Sequence, residues 1–357
     1  MRFPVQILSM VMAALLLLGA CTKGEPEQGN AIGWSVVAPS SLAAPAASSR
    51  ALVEGYGQLR DACTETPGQE LQKIGLFGSC TLGGAVESVF DNTDLWWWSK
   101  TDGNPYKDLE GNFSNWNYAG ENRNWTDNAD YLFKAYFPKS KADLHPSSGA
   151  EQLLVMYDAA KEQYDLLVAH KALPARGENP VVLQLEHPLA ALKFDFILEN
   201  EGVEDRLLEC WLENLSGSGI YISSTLNYSG EAVWPQSTPV GAGVPMYLWE
   251  PVEPLKLERG TSAVAYSTAA VEGALYSGNG GWILVVPQRC HGPEHVRFCF
   301  RTERGGSKVY SVGLPAQNFA PGYRYSYHVK FSSVNVGISV KVSEWNTRKS
   351  SYEVDFN

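Results

Sequence analysis

Tyr323-Arg324-Tyr325-Ser326-Tyr327-His328-Val329-Lys330-Phe331 alternates residue by residue between apolar and polar side chains. A period of two places Tyr323, Tyr325, Tyr327, Val329 and Phe331 on one face of an extended chain and the polar residues on the other, the pattern of a half-buried β-strand. The following segment repeats it, with Val336, Ile338, Val340 and Val342 set against Asn335, Gly337, Ser339 and Lys341. Ser332-Ser333 and their neighbours join the two, so a hairpin is expected.

Working outward, the same alternation recurs. Val296-Phe298-Phe300 and Val309-Ser311-Gly313 flank Gly305-Gly306, a second hairpin signal. Leu192-Phe194-Phe196-Leu198 and residues 282–286 read as further strands, and Gln152-Leu153-Leu154-Val155-Met156-Tyr157 reads as strand or helix. Helical periodicity is weak elsewhere. The expected fold is therefore all-β, two tandem antiparallel sandwiches, each sheet with one buried and one wet face. Pro174-Ala175-Arg176-Gly177-Glu178-Asn179-Pro180 breaks the pattern and suggests a boundary, giving an N-terminal sandwich over 51–176 and a C-terminal one over 177–357.

The N-terminus reads differently. Arg2 precedes an apolar run from Val5 to Leu18, shorter than the about 20 residues a membrane-spanning helix needs. Residues 1–20 fit a secretory signal peptide. Leu18-Gly19-Ala20-Cys21 resembles the bacterial lipobox, which implies a lipoprotein with palmitate-type acyl chains on Cys21 and an anchor in outer-membrane lipid. Pro, Ala, Ser, Gly and Glu dominate residues 22–50, so residues 21–50 are expected to be a lipidated flexible tether or propeptide. Lys23, Glu25 and Glu27 resemble the signal that sends lipoproteins to the outer face of the outer membrane.

A net charge of −11 without a basic cluster argues against nucleic acid as a partner. No motif for phosphate binding, dinucleotide binding or hydrolysis is present, so the chain reads as a non-enzyme without cofactor. With Cys21 lipidated, Cys63, Cys80, Cys210, Cys290 and Cys299 remain, an odd number that leaves at least one thiol free. Cys290, His291, His295 and Cys299 have the donor types of a zinc site at poor spacing; a Cys290–Cys299 disulfide and free thiols are the other readings, and no metal is assigned. His187 reads as a structural histidine, and Glu199, Glu201, Glu204 and Asp205 as a solvated acidic turn.

Residues 96–125 are rich in aromatics among Asn, Asp and Gly. Trp96, Trp98, Trp116 and Trp125 are candidates for a sugar-stacking surface, since flat rings beside amides suit a pyranose. Core packing is the competing reading, because three adjacent Trp residues cannot all face one way.

In order along the chain, the lipobox and tether, Ser49-Arg50-Ala51, Ile74-Gly75-Leu76-Phe77-Gly78, residues 131–138, Asp165-Leu166-Leu167-Val168-Ala169, the His187 segment, Phe319-Ala320-Pro321-Gly322-Tyr323 and Val342-Ser343-Glu344-Trp345 together resemble the fimbrillin family of type V pilus subunits and surface lipoproteins of anaerobic Gram-negative bacteria. The resemblance implies transthyretin-like sandwiches and a structural or accessory role in an adhesive fimbria at the cell outer membrane. It also implies cell adhesion and a pilus built with other fimbrial subunits by strand exchange. By position Arg50 and Ala51 match the family's protease cut, with Arg60 as a rival, and the strand beginning at Ala51 is expected to be the replaceable one. Tyr352, Val354 and Phe356 alternate against Glu353 and Asp355, a candidate donor strand. The alternative is a monomeric surface lipoprotein that binds host or bacterial glycans through residues 96–125.

Overall fold

The computed structural model describes residues 31–39, 53, 55–98, 116–118, 120–159, 163–175, 178–198, 204–224, 246–249, 255–257, 263–264, 282–289, 296–314, 318–331 and 336–344. The fold is all-β with sandwich-like packing of several sheets.

Nine strands come first: β1 (Trp34–Val37), β2 (Ile74–Leu82), β3 (Ala85–Trp97), β4 (Trp116–Tyr118), β5 (Asp130–Phe137), β6 (Asp143–Leu144), β7 (Gln152–Asp158), β8 (Leu167–Leu173) and β9 (Val181–Gln184). Seven of them form one sheet in the order β8-β5-β2-β3-β4-β1-β9. The sheet curls toward closure, because Val168 and Glu186 exchange backbone hydrogen bonds of 2.9 and 2.8 Å across the gap between β8 and the end of β9. Its concave side holds a core of Trp34, Phe90, Leu95, Trp116, Trp125 and Phe133. Gly78 in β2 permits this crowding: a Cβ there would lie 2.8 Å from the Phe133 ring and 2.9 Å from the Phe90 ring.

Thirteen strands follow: β10 (Ala190–Leu198), β11 (Asp205–Glu213), β12 (Ser218–Ser224), β13 (Met246–Trp249), β14 (Leu255–Leu257), β15 (Ala263–Val264), β16 (Ile283–Val285), β17 (Gln288–Arg289), β18 (Arg297–Thr302), β19 (Tyr310–Gly313), β20 (Asn318–Phe319), β21 (Tyr323–Phe331) and β22 (Val336–Glu344). One sheet runs β15-β10-β21-β22 with β16 beside β10, and the other runs β13-β11-β18-β19 with β14 beside β11. Phe194 from the first stacks on Phe298 from the second with ring centroids 4.5 Å apart, so the two sheets share a core. A small sheet, β12-β7-β6, joins Ser218–Ser224 to Gln152–Asp158. Its apolar side covers the outer face of the seven-stranded sheet and places Phe77, Tyr136, Leu153 and Val155 in the same core as the later strands.

Both expected hairpins are present. Tyr323 pairs with Glu344 and Phe331 with Val336 in an antiparallel ladder, and β18 pairs with β19 around Gly305-Gly306. Tyr325, Tyr327 and Val329 are buried as the alternation requires, while Val342 is 47% exposed because the end of β22 runs beyond the core. Residues 152–158 take the strand alternative. Among the described strands, two pairings, β1 with β9 and β10 with β21, are parallel.

Three expectations are corrected. The stretch read as a tether is not all tether: residues 31–39 belong to the folded body, and the Trp34 side chain is 0% exposed. Polar composition on either side masked a four-residue segment whose single indole is worth about 2–3 kcal/mol of burial. The expected strand at Ala51-Leu52-Val53 is not seen at Val53, the one of the three that is described, which is a buried residue outside any strand. Behind it lies an unanticipated helix, α1 (Tyr56–Ala62), whose inner face buries Leu59 and is followed by buried Cys63. Finally, Asp205 is buried in β11, where its carboxylate accepts the backbone N–H of Arg304 at 3.1 Å, so it is no solvated turn residue.

Candidate functional site

β1 lies inside a sheet, between β4 and β9, although it is upstream of every other described strand. Along β9 it pairs in parallel, Trp34 with Val181 through Val37 with Gln184, and on its other side Trp34 faces Trp116 of β4. Ile32, Trp34, Val36 and Ala38 are buried, while Ser35 and Val37 are half-buried, the alternation of a strand that fills a trough. The backbone is tied at both ends. Ile32 donates to the Arg123 carbonyl at 2.8 Å, Val181 to the Gly33 carbonyl at 2.8 Å, and Leu185 to the Val37 carbonyl at 2.9 Å. Asn179 acts as a two-way clamp, its Nδ2 donating to the Ala31 carbonyl at 3.0 Å and its Oδ1 accepting from Gly33 N–H at 2.9 Å.

Trp34 is the largest side chain of β1 and is fully buried. Phe90 and Phe133 meet the indole edge-on, with centroids 5.3 and 5.0 Å away. Such contacts add to the area term. Without β1, β4 and β9 would present unpaired N–H and C=O groups beside an apolar trough, the arrangement that accepts another strand.

Just past β9, Asp165 and His187 meet at the seam. Both side chains are buried; His187 Nδ1 donates to Asp165 Oδ1 at 2.8 Å, and the Val53 N–H donates to Asp165 Oδ2 at 2.6 Å. The histidine is structural, as the sequence suggested. The carboxylate it meets, and the link to Val53, carried no signal in the sequence because the three residues are far apart along the chain.

The four candidate tryptophans do not form one surface. Trp116 and Trp125 are core residues: Trp116 packs against Trp97 at 5.6 Å, and Trp125 against Tyr131 at 4.7 Å. Trp96 and Trp98 are half-buried neighbours with centroids 5.3 Å apart. Lys73 Nζ sits 5.7 Å from the Trp96 ring and pairs with Asp94 at 2.6 Å, while Lys139 takes the other oxygen of Asp94 at 2.5 Å. Asp94 is consequently held below the usual carboxylate range: burial opposes this, but the two lysines outweigh it.

Among the described residues, Lys134 is a buried ammonium. It is 0% exposed at the centre of β5, donating to Ser223 Oγ of β12 at 3.0 Å. Burial pulls its ammonium down to about 8, against a smaller upward pull from Glu151.

Cys63, Cys80, Cys210 and Cys299 are buried free thiols. Burial raises each of them, Cys299 to about 11, so they behave as small apolar residues. Among the described residues no group of three His, Cys, Asp or Glu is placed to hold a metal. Cys290, His291 and His295 lie outside the described residues, as do Cys21, Arg50, Ala51, Tyr352, Val354 and Phe356.

Comparison with known proteins is informative once this geometry is in view. The solved structures it resembles include a fimbrial protein from Bacteroides vulgatus, at TM-score 0.56 and 13% identity over 88% of this chain and 99% of that one. Two proteins described as candidates for cell adhesion, from Bacteroides ovatus and Bacteroides uniformis, each match at TM-score 0.51, with 16% and 14% identity. They cover 89% and 88% of this chain, and 99% and 98% of their own. At such identities the likeness establishes a shared fold. No curated protein sequence matches. The family model described as fimbrillin-like matches residues 68–345, most of the chain, and on that ground the protein belongs to the fimbrillin-like family.

Proposed function

We propose that this protein is a surface lipoprotein of the outer membrane, anchored through Cys21, that serves as a structural or accessory subunit of an adhesive fimbria assembled by strand exchange. The observation that carries this reading is that β1 fills the core of the first sheet while lying upstream of Arg50. A cut between Arg50 and Ala51 would turn β1 into a separate peptide held only by noncovalent contacts. The replaceable strand is therefore Trp34–Val37, in place of the segment beginning at Ala51. Its departure would open the trough between β4 and β9, and Tyr352, Val354 and Phe356 of another copy have the alternation to refill it. The uncut chain keeps its own trough filled, which opposes premature association. In this reading the chain divides near residues 176–177 into two sandwich modules, with β9 and β12 reaching back to pair with strands of the first.

A second reading keeps the half-buried pair Trp96 and Trp98 as a stacking platform for host or bacterial glycans on a monomer. One experiment separates the two. The purified chain is cut with a limiting arginine-specific protease and the product is sized over a range of concentrations. Strand exchange gives oligomers that grow with concentration and vanish when residues 351–357 are deleted. A cut product that stays monomeric at high concentration refutes it.

A further inference from the structure

Asp165 is buried two residues before β8, at the seam closed by Val168 and Glu186. A buried carboxylate is a strong hydrogen-bond acceptor and costly to leave unpaired. One oxygen meets His187 at 2.8 Å, and the other holds the backbone N–H of Val53 at 2.6 Å. Val53 would be the third residue of the body that a cut after Arg50 leaves, and α1 begins three residues beyond it.

That helix has only seven residues and no side-chain cap at Gly55. Two turns of this length do not persist in water on their own. They persist here because Leu59 is buried and the segment is pinned at both ends. Val53 is held by Asp165 at the front, and behind the helix the Cys63 carbonyl accepts Trp97 N–H at 2.9 Å. Arg60 lies in the last turn, with its side chain 38% exposed and paired with Asp61 at 3.0 Å. Its carbonyl is engaged within the fold, accepting Thr64 Oγ1 at 2.7 Å and Cys63 N–H at 3.1 Å. Endoproteases take substrate as an extended chain, so an exposed arginine in a pinned helix is cut only when the segment opens.

We propose that the buried Asp165–His187 pair is a latch on the Val53 backbone that keeps α1 folded and hides Arg60 from arginine-specific cleavage, confining processing to the upstream side of Val53. The inference rests on the maturation reading above for its biological use, but the shielding of Arg60 is a separate measurement. His187 orients the carboxylate, Asp165 holds the amide, and that hydrogen bond adds to the burial of Leu59 and Cys63 in keeping the helix ordered.

The test compares the full chain with its Val53→Pro, Val53→Ala and Asp165→Ala variants under limiting arginine-specific protease, with product termini read by intact mass and N-terminal sequencing. Val53→Ala keeps the amide and controls for the packing lost with the buried side chain, so cutting after Arg60 is expected to stay well below that of Val53→Pro. Val53→Pro removes the donor and is expected to raise cutting after Arg60 by about tenfold or more, the scale of one charged hydrogen bond. Asp165→Ala is expected to act in the same direction. If it fails to fold, the Val53 pair decides, since neither substitution alters the buried carboxylate. Equal cutting after Arg60 in Val53→Pro and Val53→Ala overturns the latch. A parent chain that stays intact at Arg50 counts against the maturation reading, while the Arg60 comparison still decides this one.

Discussion

Trp34 meets Phe133 edge-on, with ring centroids 5.0 Å apart and ring planes at 86°, although the two residues lie on opposite sides of Arg50 in the chain. The first sheet thus completes its core with a side chain from a segment that proteolysis could detach. Trp34→Ala is expected to cost about 3–5 kcal/mol, the range for truncating a buried aromatic, measured by urea denaturation of the uncut chain. The same substitution should speed the loss of residues 31–39 from chain cut after Arg50. A loss below 1 kcal/mol would mean that β1 is no part of the stable core.

Lys134 makes a prediction about pH. Its folded-state value is depressed to about 8, so above that pH the folded protein has released a proton that the unfolded chain still binds. Stability contributed by this group therefore rises as pH increases from about 8 toward the ordinary lysine value. Lys134→Met should stabilise the protein at pH 7 by about 1–3 kcal/mol and flatten that rise. The four buried thiols act in the opposite sense above their ordinary value, so denaturation curves of parent and variant must be compared at each pH. His170, pulled down by burial and then by Lys134, should titrate higher in the variant by NMR. An unchanged pH dependence would place the Lys134 ammonium in contact with water.

The tryptophans separate by burial. Trp125→Ala is expected to cost about 3–5 kcal/mol, whereas Trp96→Ala should stay within about 1 kcal/mol of the parent, as partly exposed positions do. A glycan array then decides the sugar-binding alternative, which predicts that Trp96→Ala loses retention with the fold intact. Absence of any glycan retained by the parent chain removes that alternative.

The lipid anchor is tested by feeding labelled palmitate to cells expressing the chain. Label should enter the parent and not Cys21→Ser, whose product should keep its signal peptide. Equal labelling of both would dismiss Cys21 as the attachment point.

Strand identity was legible in long segments with one buried face, and not in the four-residue β1. Alternation marked Tyr323–Phe331 and Val336–Glu344, because burying one face imposes a period of two on the residues themselves. It said nothing about parallel pairing: β10 and β21 are each good strands, and nothing local to either tells that they run the same way. The helix at Tyr56–Ala62 was missed because its inner face is marked only by Leu59, followed by Cys63, too little periodicity to stand out.

The sequence by itself determined what is local and repeated: the β class and the two hairpins. Tertiary structure alone decided that Trp34–Val37 is a core strand and that Asp165 joins His187 to Val53. A single indole in a polar stretch becomes a core residue only when Phe90 and Phe133, distant in sequence, leave a cavity of its size. Likewise one aspartate becomes a latch only when the chain brings a backbone amide and an imidazole to its two oxygens. These contacts join segments remote from one another, so their energies reside in the closed sheet and leave no pattern in the order of residues.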